Sequence, residues 1–501
     1  MARLVMVYAC VAMLTSSVTS VAFCPQGCTC DDETLVVSCI EANLDVIPIT
    51  LNPAIQRLVL KYNRVKAVDA AFQFYGELQF VDLSHNHLVS LSTKSFEAQK
   101  KLVEFHLNHN RMSQISNTTF LGLKSLKVLS LRGNFLEDLP DKLFSVLSLL
   151  EELDLGQNRI MRIDSTAFAG LPNLRILSLD DNMLKTVPTP TFPYLASLAE
   201  LHVGLNVFTA LSDDAFKGLS KLSVLDVSDA SLVNISENAF RGLGSLRKLV
   251  LTGNRLISIP TKQMSSLTRV EELSIGQNEF RSIEHHAFQG LQNLRQLEIN
   301  GAPALERIAK GCLSDNLNLE SITISNNKRL TTIEDGAFAG LPNLRHLVLR
   351  DNAFTTFSES SVAWPELRKI DVSENPLTCN CNLRWLKELL ITRNTSQVLC
   401  ASPGHLKNKP LKSLTPDDLG CALHDTRKQV IIGAVCATAA FFAAAVGFMI
   451  YRYRRTMQSA LKNVKWEKPK ISKECQYQKT CTGDEDYRNT QPYKHEPTTE
   501  L

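Results

Sequence analysis

One eleven-residue pattern recurs along most of this chain and limits its fold more than any other feature. The pattern is L-x-x-L-x-L-x-x-N-x-L, and its asparagine position falls fourteen times between residues 63 and 375. Nine of the thirteen intervals are 24 residues long, and the others are 23 or 25. A fixed period of this length is typical of a solenoid, in which each repeat contacts only its neighbours. The repeats therefore stack in a row and do not fold around one compact centre.

Two columns of apolar residues run along the repeats, one on each side of the coil. Around Leu153 and Leu155 the alternation predicts a short strand with one buried face, and stacked copies of it predict a parallel sheet. Asn158 follows where the chain turns inward, and we expect backbone groups of its own and the adjoining turn to bond its amide. The second column lies on the other side of each coil, with Met264 and Leu313 in its missing places: Phe72, Phe96, Phe120, Phe144, Phe168, Phe192, Phe216, Phe240, Phe288 and Phe338.

The period and the pattern are those of a leucine-rich repeat, and they predict the fold class. We expect an α/β-type solenoid, a leucine-rich-repeat horseshoe with a parallel β-sheet on its concave face, over residues 55–377. One transmembrane helix and a disordered tail follow it. The asparagine column breaks at Ala230 and Ala302. Either these positions have drifted, or they re-aim a loop toward a ligand.

The N-terminus has the order of a secretory signal peptide. Arg3 precedes an apolar run from Leu4 to Leu14, and a stretch of small residues ends at Ala22. We predict that residues 1–22 are removed and that the mature chain enters an oxidising compartment. The run is too short to cross a bilayer.

A second apolar stretch, Val430 to Tyr451, has no charged residue and is about the 20 residues long that a membrane-spanning helix needs. The C-terminal flank is the more basic one because Arg452, Arg454 and Arg455 follow at once. The positive-inside rule therefore places residues 452–501 in the cytoplasm. With the signal peptide, this predicts a single-pass type I protein of the plasma membrane, with a short linker at 423–429.

Cysteines cluster at both ends of the repeats. Four lie in the segment 23–54 and four in 378–422: Cys24, Cys28, Cys30 and Cys39, then Cys379, Cys381, Cys400 and Cys421. In an oxidising compartment such groups form disulfides, which stabilise a terminal repeat whose apolar face lacks a neighbour. Zinc binding by Cys379 and Cys381 is the competing interpretation, but matching Cys-x-x-Cys pairs are missing. We interpret Cys312, left over, as a small buried residue.

With these flanks the chain resembles the extracellular leucine-rich-repeat receptors and adhesion proteins of type I topology. The residues that carry the likeness run from Cys24-Pro25-x-x-Cys28-x-Cys30 to Asn375-Pro376-Leu-Thr-Cys379-Asn-Cys381-Asn-Leu-Arg-Trp385-Leu386. Four cysteines allow three pairings, and spacing alone does not choose among them. The resemblance implies first-to-third and second-to-fourth pairing: Cys24 with Cys30, Cys28 with Cys39, Cys379 with Cys400, and Cys381 with Cys421.

Three sequons mark the predicted outside as glycosylated: Asn117, Asn234 and Asn394. Asn117 and Asn234 fall on the loop side of their repeats, which leaves the concave face free for a ligand. That face carries a run of carboxylates over repeats five to eight: Asp154, Asp180, Glu200 and Asp226. They predict a basic protein ligand. Alternatively, they only keep a solvated sheet soluble.

Several function classes are disfavoured by composition and motifs. A net charge of +3 gives no electrostatic footprint for a nucleic-acid partner. The sequence shows no nucleophile motif and no glycine-rich phosphate loop, and we expect no carboxylate or metal-ligand spacing around the adjacent His285 and His286. We therefore expect no cofactor, no metal and no enzymatic activity.

The C-terminal tail contains two short motifs. Thr499-Glu500-Leu501 resembles a ligand for PDZ domains, which bind an extended end as an added strand. Tyr487 follows three acidic residues and is a candidate phosphotyrosine site. The first motif suits an adhesion or recognition protein anchored to a cytoplasmic PDZ scaffold. The second suits a ligand-sensing receptor of immune or growth-factor type that signals through a co-receptor or through the tyrosine.

Overall fold

The computed structural model describes residues 23–68, 70–393 and 397–461. The chain divides into two compact units, Met1–Leu423 and His424–Leu501. The predicted signal peptide lies outside the described residues, as do Asn394, Tyr487 and Thr499-Glu500-Leu501.

A sixteen-stranded sheet runs along the first unit. Its first two strands, Thr29–Asp31 and Val36–Ser38, are antiparallel to each other, and every later pair is parallel. The remaining fourteen strands have three residues each and follow one another in chain order: Arg57–Val59, Phe80–Asp82, Glu104–His106, Val128–Ser130, Glu152–Asp154, Ile176–Ser178, Glu200–His202, Val224–Asp226, Lys248–Val250, Glu272–Ser274, Gln296–Glu298, Ser321–Thr323, His346–Val348 and Lys369–Asp371. One strand per repeat confirms the predicted solenoid.

The strands pair in a register that puts equivalent repeat positions side by side. Leu153 is opposite Leu129 on one side and Leu177 on the other, and all three are fully buried. The residues on either side of Leu153, Glu152 and Asp154, are partly exposed to solvent. We call this solvent-facing side of the sheet the concave face.

A second set of short strands lies on the opposite side of the coils. These outer strands have two residues each and pair in parallel: Ala67–Val68 with Ser90–Leu91, Asp138–Leu139 with Arg162–Ile163, Ala210–Leu211 with Asn234–Ile235, and Ser282–Ile283 with Arg307–Ile308 and Thr332–Ile333. In the C-terminal cap, Leu377–Thr378 pairs with Cys400–Ser402.

Helices are few and mostly short. Within residues 23–461, apart from the short gaps in the description, the α-helices are Thr261–Met264, Arg384–Ile391 and Cys421–Leu461. The 3-10 helices are Ala70–Phe74, Thr189–Tyr194, Glu359–Ser361, Trp364–Glu366, Cys381–Leu383, Gly404–Leu406 and Leu411–Ser413.

The phenylalanine column closes the core opposite the sheet. Phe144 is fully buried, and its ring stacks between Phe120 and Phe168 with centroids 5.9 and 6.1 Å away. Met264 and Leu313, where phenylalanine is missing, are buried as well. The core is therefore continuous from repeat to repeat.

The asparagines bond successive turns together. The Asn158 side-chain amide donates to the carbonyls of Leu155 in its own turn, at 3.0 Å, and of Leu131 in the preceding repeat, at 3.1 Å. Its carbonyl oxygen accepts from the Leu136 N–H at 3.2 Å. Each asparagine thus fastens its repeat to the one before it.

At the two breaks in this column, the asparagine of the next repeat accepts a hydrogen bond from the alanine N–H. Ala230 is fully buried, and its N–H donates to Asn254 Oδ1 at 3.2 Å. Ala302 is buried too, and its N–H donates to Asn327 Oδ1 at 2.7 Å. Both alanines therefore lie inside the coil, which favours drift over a loop presented to a ligand.

Disulfides are present in both caps. The bonded pairs are Cys24–Cys30, Cys28–Cys39, Cys379–Cys400 and Cys381–Cys421. Cys312 is unpaired and buried, and burial raises the pKa of its thiol to about 12. A thiol in that state is almost wholly protonated at neutral pH and therefore inert.

One described helix is long and apolar enough to cross a membrane. The span Gln429–Thr456 has a mean hydropathy of 2.3 in its most apolar window, none of which is buried against protein. Helical structure begins before it, at Cys421, so the segment 423–429, predicted as a linker, is also helical.

Candidate ligand-binding face

Four of the concave-face residues between repeats five and eight lie in one row across adjacent strands. Asp154, Ser178, His202 and Asp226 are cross-strand partners in the sheet. Glu200 lies two residues from this row, on the strand of His202, and Asp180 follows the strand of Ser178. The fold therefore brings the four predicted carboxylates to one side of the sheet.

Two of these carboxylates are paired within the protein. Arg132 donates to both oxygens of Asp180, at 3.2 and 2.7 Å, and lies 3.4 Å from Asp154. The hydrogen bonds that Arg132 donates to Asp180 raise the pKa of the Arg132 guanidinium despite its partial burial. Asp154 and Asp180 are thus partly neutralised before any ligand arrives.

Gly156 makes this pairing possible. Arg132, Gly156 and Asp180 occupy the same position of three successive repeats. A Cβ atom on Gly156 would lie 2.1 Å from Arg132 Nη1, so the arginine crosses the middle repeat only because that repeat has no side chain there. The sequence prediction missed Arg132, although this column of the repeat contains the signal.

His202 is surrounded by carboxylates. Its Nδ1 lies 3.7 Å from Asp226 Oδ2, and its Nε2 lies 3.9 Å from Glu200 Oε2. The Asp226 carboxylate is the main reason that the pKa of His202 is raised above its ordinary 6.5, with smaller contributions from Glu200 and Asp180 against the effect of burial. At mildly acidic pH the His202 ring is therefore protonated and offsets part of the negative charge of these carboxylates.

Asp226 is held in place by its own turn. Its Oδ1 accepts from the Ser228 N–H at 2.9 Å and from the Ser228 hydroxyl at 2.6 Å. Burial would raise the pKa of Asp226, but His202 and Ser228 outweigh it and lower the pKa. Its carboxylate stays ionised at neutral pH and points along the sheet surface.

A depression of about 300 Å³ lies over Gly204, between Asp180 and Asp226. A Cβ atom on Gly204 would lie 2.6 Å from the carbonyl oxygen of Ser228, so the depression has backbone as its floor. Leu205 at its rim is 51% exposed. An incoming side chain would find carboxylates on its sides and an apolar contact at its edge.

Asp229 adds a carboxylate beside this depression. Burial, followed by repulsion from Asp226, raises the pKa of Asp229. Within the described part of the chain it forms no ion pair. Of the carboxylates near this depression, Asp229 thus has no cationic partner among the described residues, whereas Asp226 and Glu200 share His202.

The two described sequons are exposed. Asn117 lies in a turn after the third repeat's strand, and Asn234 begins the outer strand Asn234–Ile235. Both lie away from the sheet, so sugars attached there leave the concave face open.

The histidine pair has two acidic neighbours: Glu284 directly precedes it in the sequence, and Asp315 lies beside it in the structure. His286 Nδ1 lies 2.6 Å from Asp315 Oδ2, and the next turn of the solenoid brings the two residues together. The prediction that no carboxylate is near this pair was therefore wrong. His285 bonds the Lys310 carbonyl at 3.0 Å. Across the described residues, no group of three or more side chains is arranged to hold a metal ion.

Comparison with known proteins identifies the repeats. The family described as "Leucine rich repeat" matches residues 76–136, 124–184, 196–256, 245–303 and 317–377. This chain belongs to the leucine-rich repeat family. The description "Leucine rich repeat C-terminal domain" matches residues 397–422, within the disulfide-bonded C-terminal cap.

Curated relatives match shorter stretches. Trophoblast glycoprotein of Mus musculus is 31% identical over 102 residues, 19% of this chain and 24% of the relative. SLIT and NTRK-like protein 6 of Mus musculus is 37% identical over 86 residues, 16% of this chain and 10% of the relative. The matched part is thus a quarter or less of either relative's length.

Solved structures agree in fold over most of the chain. A complex of TLR13 with the RNA ssRNA13 has 26% identity and a TM-score of 0.54, covering 70% of this chain and 59% of that one. A leucine-rich-repeat protein of Leptospira interrogans has 24% identity and a TM-score of 0.58, covering 72% and 94%. The second likeness shows the fold alone.

Proposed function

We propose that this protein is a cell-surface recognition and adhesion molecule whose concave face binds a basic segment of another protein. The observation that carries this proposal is the depression over Gly204, with Asp226 ionised on one side and Asp229 and Glu200 close by. Carboxylates held on a rigid sheet attract a cationic partner and orient it.

The size of the face favours a protein over a small molecule. Fourteen parallel strands at about 4.8 Å spacing give a surface on the order of 65 Å long, comparable to protein interfaces. RNA, present in the TLR13 complex, is disfavoured as a partner here. Its phosphates would be repelled by the same carboxylates that attract a basic protein segment.

The membrane placement is part of the proposal. The span Gln429–Thr456 anchors the chain, and Arg452, Arg454 and Arg455 favour a cytoplasmic C-terminal side. The solenoid and its sequons then lie outside the cell, where the cap disulfides are stable. Thr499-Glu500-Leu501 would attach the cytoplasmic end to a PDZ scaffold.

An adhesion assay on the full chain tests the binding face. Cells that display the protein are mixed with unmodified cells of several types, and the pairs that form are counted. We expect adhesion above background, an at least tenfold reduction for the double variant Glu200→Lys with Asp226→Lys, and no change for Glu237→Lys. Glu237 is an exposed glutamate in the turn before Phe240, away from the sheet.

Equal adhesion of the double variant and the wild type would overturn the proposed face, and background adhesion of the wild type would overturn the adhesion role. Deletion of Thr499 to Leu501 and the substitution Tyr487→Phe separate the two tail motifs. Weaker adhesion after the deletion supports PDZ anchoring. A signalling loss with Tyr487→Phe alone supports the receptor role.

A further inference from the structure

The outer strands are joined by a regular hydrogen bond. In four of the five pairs within the repeats, the carbonyl of the strand's second residue accepts from a backbone N–H of the following repeat, at 2.9 to 3.0 Å: Asp164 to Leu139, Ser236 to Leu211, Ala309 to Ile283, and Glu334 to Ile308. These bonds give a hydrogen-bond donor to carbonyls at the ends of the outer strands, which would otherwise have none.

Proline removes this donor in two closely matched turns. Pro188 and Pro260 occupy the donor position of the sixth and ninth repeats, and proline has no N–H. The turns that follow are alike, because Thr189 and Thr261 each donate a hydroxyl at 2.6 Å to the next repeat's backbone. The carbonyls of the preceding outer strands, at Ile163 and Ile235, therefore lose the same bond.

Among the residues that the structure describes, a side chain compensates one of these two carbonyls. Gln263 donates its amide to the Ile235 carbonyl at 3.0 Å. The residue in the same repeat position after Pro188 is Thr191, and its hydroxyl is directed to the Pro188 carbonyl at 2.8 Å instead. The Ile163 carbonyl is left without either donor.

A missing donor alone does not define a site, since Pro140 removes the corresponding bond to Ile115. At Ile163 a cavity of about 580 Å³ opens as well. Its apolar wall comprises Met161, Ile163, Leu184, Val187, Pro188 and Pro190. Ile163 is partly exposed there, whereas Ile235 is 3% exposed.

At the rim, Arg162 and Asp138 neutralise each other, and Asp164 is held by hydrogen bonds within its own turn. Arg162 donates to both oxygens of Asp138, at 2.7 and 2.9 Å. Asp164 accepts from the N–H and hydroxyl of Thr166. The cavity therefore offers an occupant an apolar wall and one carbonyl acceptor, which is complementary to an uncharged group with an N–H donor.

We propose that this cavity binds an extended, uncharged peptide segment of a partner protein. A backbone N–H of the segment bonds the Ile163 carbonyl, and an aliphatic side chain beside it enters the cavity. Adding a peptide to a strand with an unused carbonyl, with a pocket for alternate side chains, is a common mode of peptide recognition. This site is on the outer strands and goes beyond the concave-face function proposed above.

The test uses the full chain in lipid nanodiscs and a fluorescently labelled probe, acetyl-Thr-Val-Thr-Val-Thr-amide, with binding followed by fluorescence polarisation. Thr191→Gln places an amide where Gln263 has one, and Thr191→Ser is the matched control that keeps the hydroxyl. We expect the wild type and Thr191→Ser to bind equally, and Thr191→Gln to bind at least tenfold more weakly. A probe with both valine amides N-methylated should show the same loss.

A second variant guards against misfolding at the buried Thr191. Met161 is 48% exposed at the cavity rim, so Met161→Lys should fold normally and weaken probe binding at least tenfold. Equal binding of the probe to the wild type, Thr191→Gln and Met161→Lys would overturn the proposal. Absence of probe binding to the wild type would overturn it too.

Discussion

At the scale of single residues, the asparagine ladder accounts for stability that apolar burial cannot supply. Asn158 is buried and bonds carbonyls on two repeats and one N–H. The Asn158→Ala variant leaves these groups without partners, so we expect the free energy of unfolding to fall by roughly 1–3 kcal/mol. Urea unfolding followed by circular dichroism measures this loss.

Asn173→Ala is the matched control. Asn173 is exposed and donates a single hydrogen bond, to the Ser148 carbonyl at 2.9 Å. Its loss should change the free energy of unfolding by about 0.5 kcal/mol or less, as for most surface positions. Equal losses for the two variants would mean that the buried Asn158 contributes no more to the free energy of unfolding than an exposed asparagine.

A second prediction at this scale concerns pH. The pKa of His202 is raised in the folded protein, chiefly by Asp226, so the protonated ring stabilises the fold. That contribution is fully present below the ordinary pKa of 6.5 and disappears as pH rises through the raised value. We therefore expect His202→Gln to lower the melting temperature more at pH 6 than at pH 8.5.

Asp226 must remain ionised for this effect, and its lowered pKa keeps it so throughout that pH range. The variant Asp226→Asn should therefore remove most of the pH dependence at His202. A melting-temperature difference that is the same at both pH values would contradict the assigned role of the pair.

At the scale of elements, the phenylalanine column should respond to volume more than to ring stacking. Phe144→Ala removes a fully buried side chain, and we expect a loss of roughly 3–5 kcal/mol in the free energy of unfolding. Phe144→Leu should cost less, about 1.5 kcal/mol, because Met264 and Leu313 fill the same place in other repeats. Equal losses would show that the stacked rings matter beyond their volume.

The three-residue strands were predictable, whereas the outer strands were not. Leu153 and Leu155 alternate with polar residues, and most repeats share this alternation of apolar and polar residues, so the sequence carries a period-two signal. Outer strands such as Arg162–Ile163 have only two residues, too few for any period. Their pairing depends on whether the next repeat offers an N–H or a proline, which only the stacked structure shows.

At the scale of the whole molecule, burial was easier to predict than surface charge. Every repeat stacks on a similar neighbour, so one repeat's pattern identifies the core of all fourteen. The concave face depends instead on contacts across repeats: Arg132 reaches Asp180, 48 residues away, over Gly156. The net charge of a column of side chains therefore depends also on the repeats that have glycine in that column, because charged residues can pair across them.

The proposed orientation in the membrane predicts which sequons are glycosylated, because sugars are added to sequons only on the lumenal side. Asn117 and Asn234 are both exposed, so enzymatic removal of N-glycans should lower the apparent mass of the full chain. Asn117→Gln and Asn234→Gln should each remove one step of that shift. The steps are read on denaturing gels of the protein expressed in mammalian cells.

A tail sequon supplies the control for this orientation. Gln491→Thr completes an Asn-Thr-Thr acceptor at Asn489, on the predicted cytoplasmic side of the helix Cys421–Leu461. Because the basic residues from Arg452 to Arg455 favour the cytoplasm, this site should stay unmodified. Glycosylation at Asn489 with none at Asn117 and Asn234 would show that the chain has the opposite orientation in the membrane. The acidic concave face would then lie inside the cell, away from any extracellular partner.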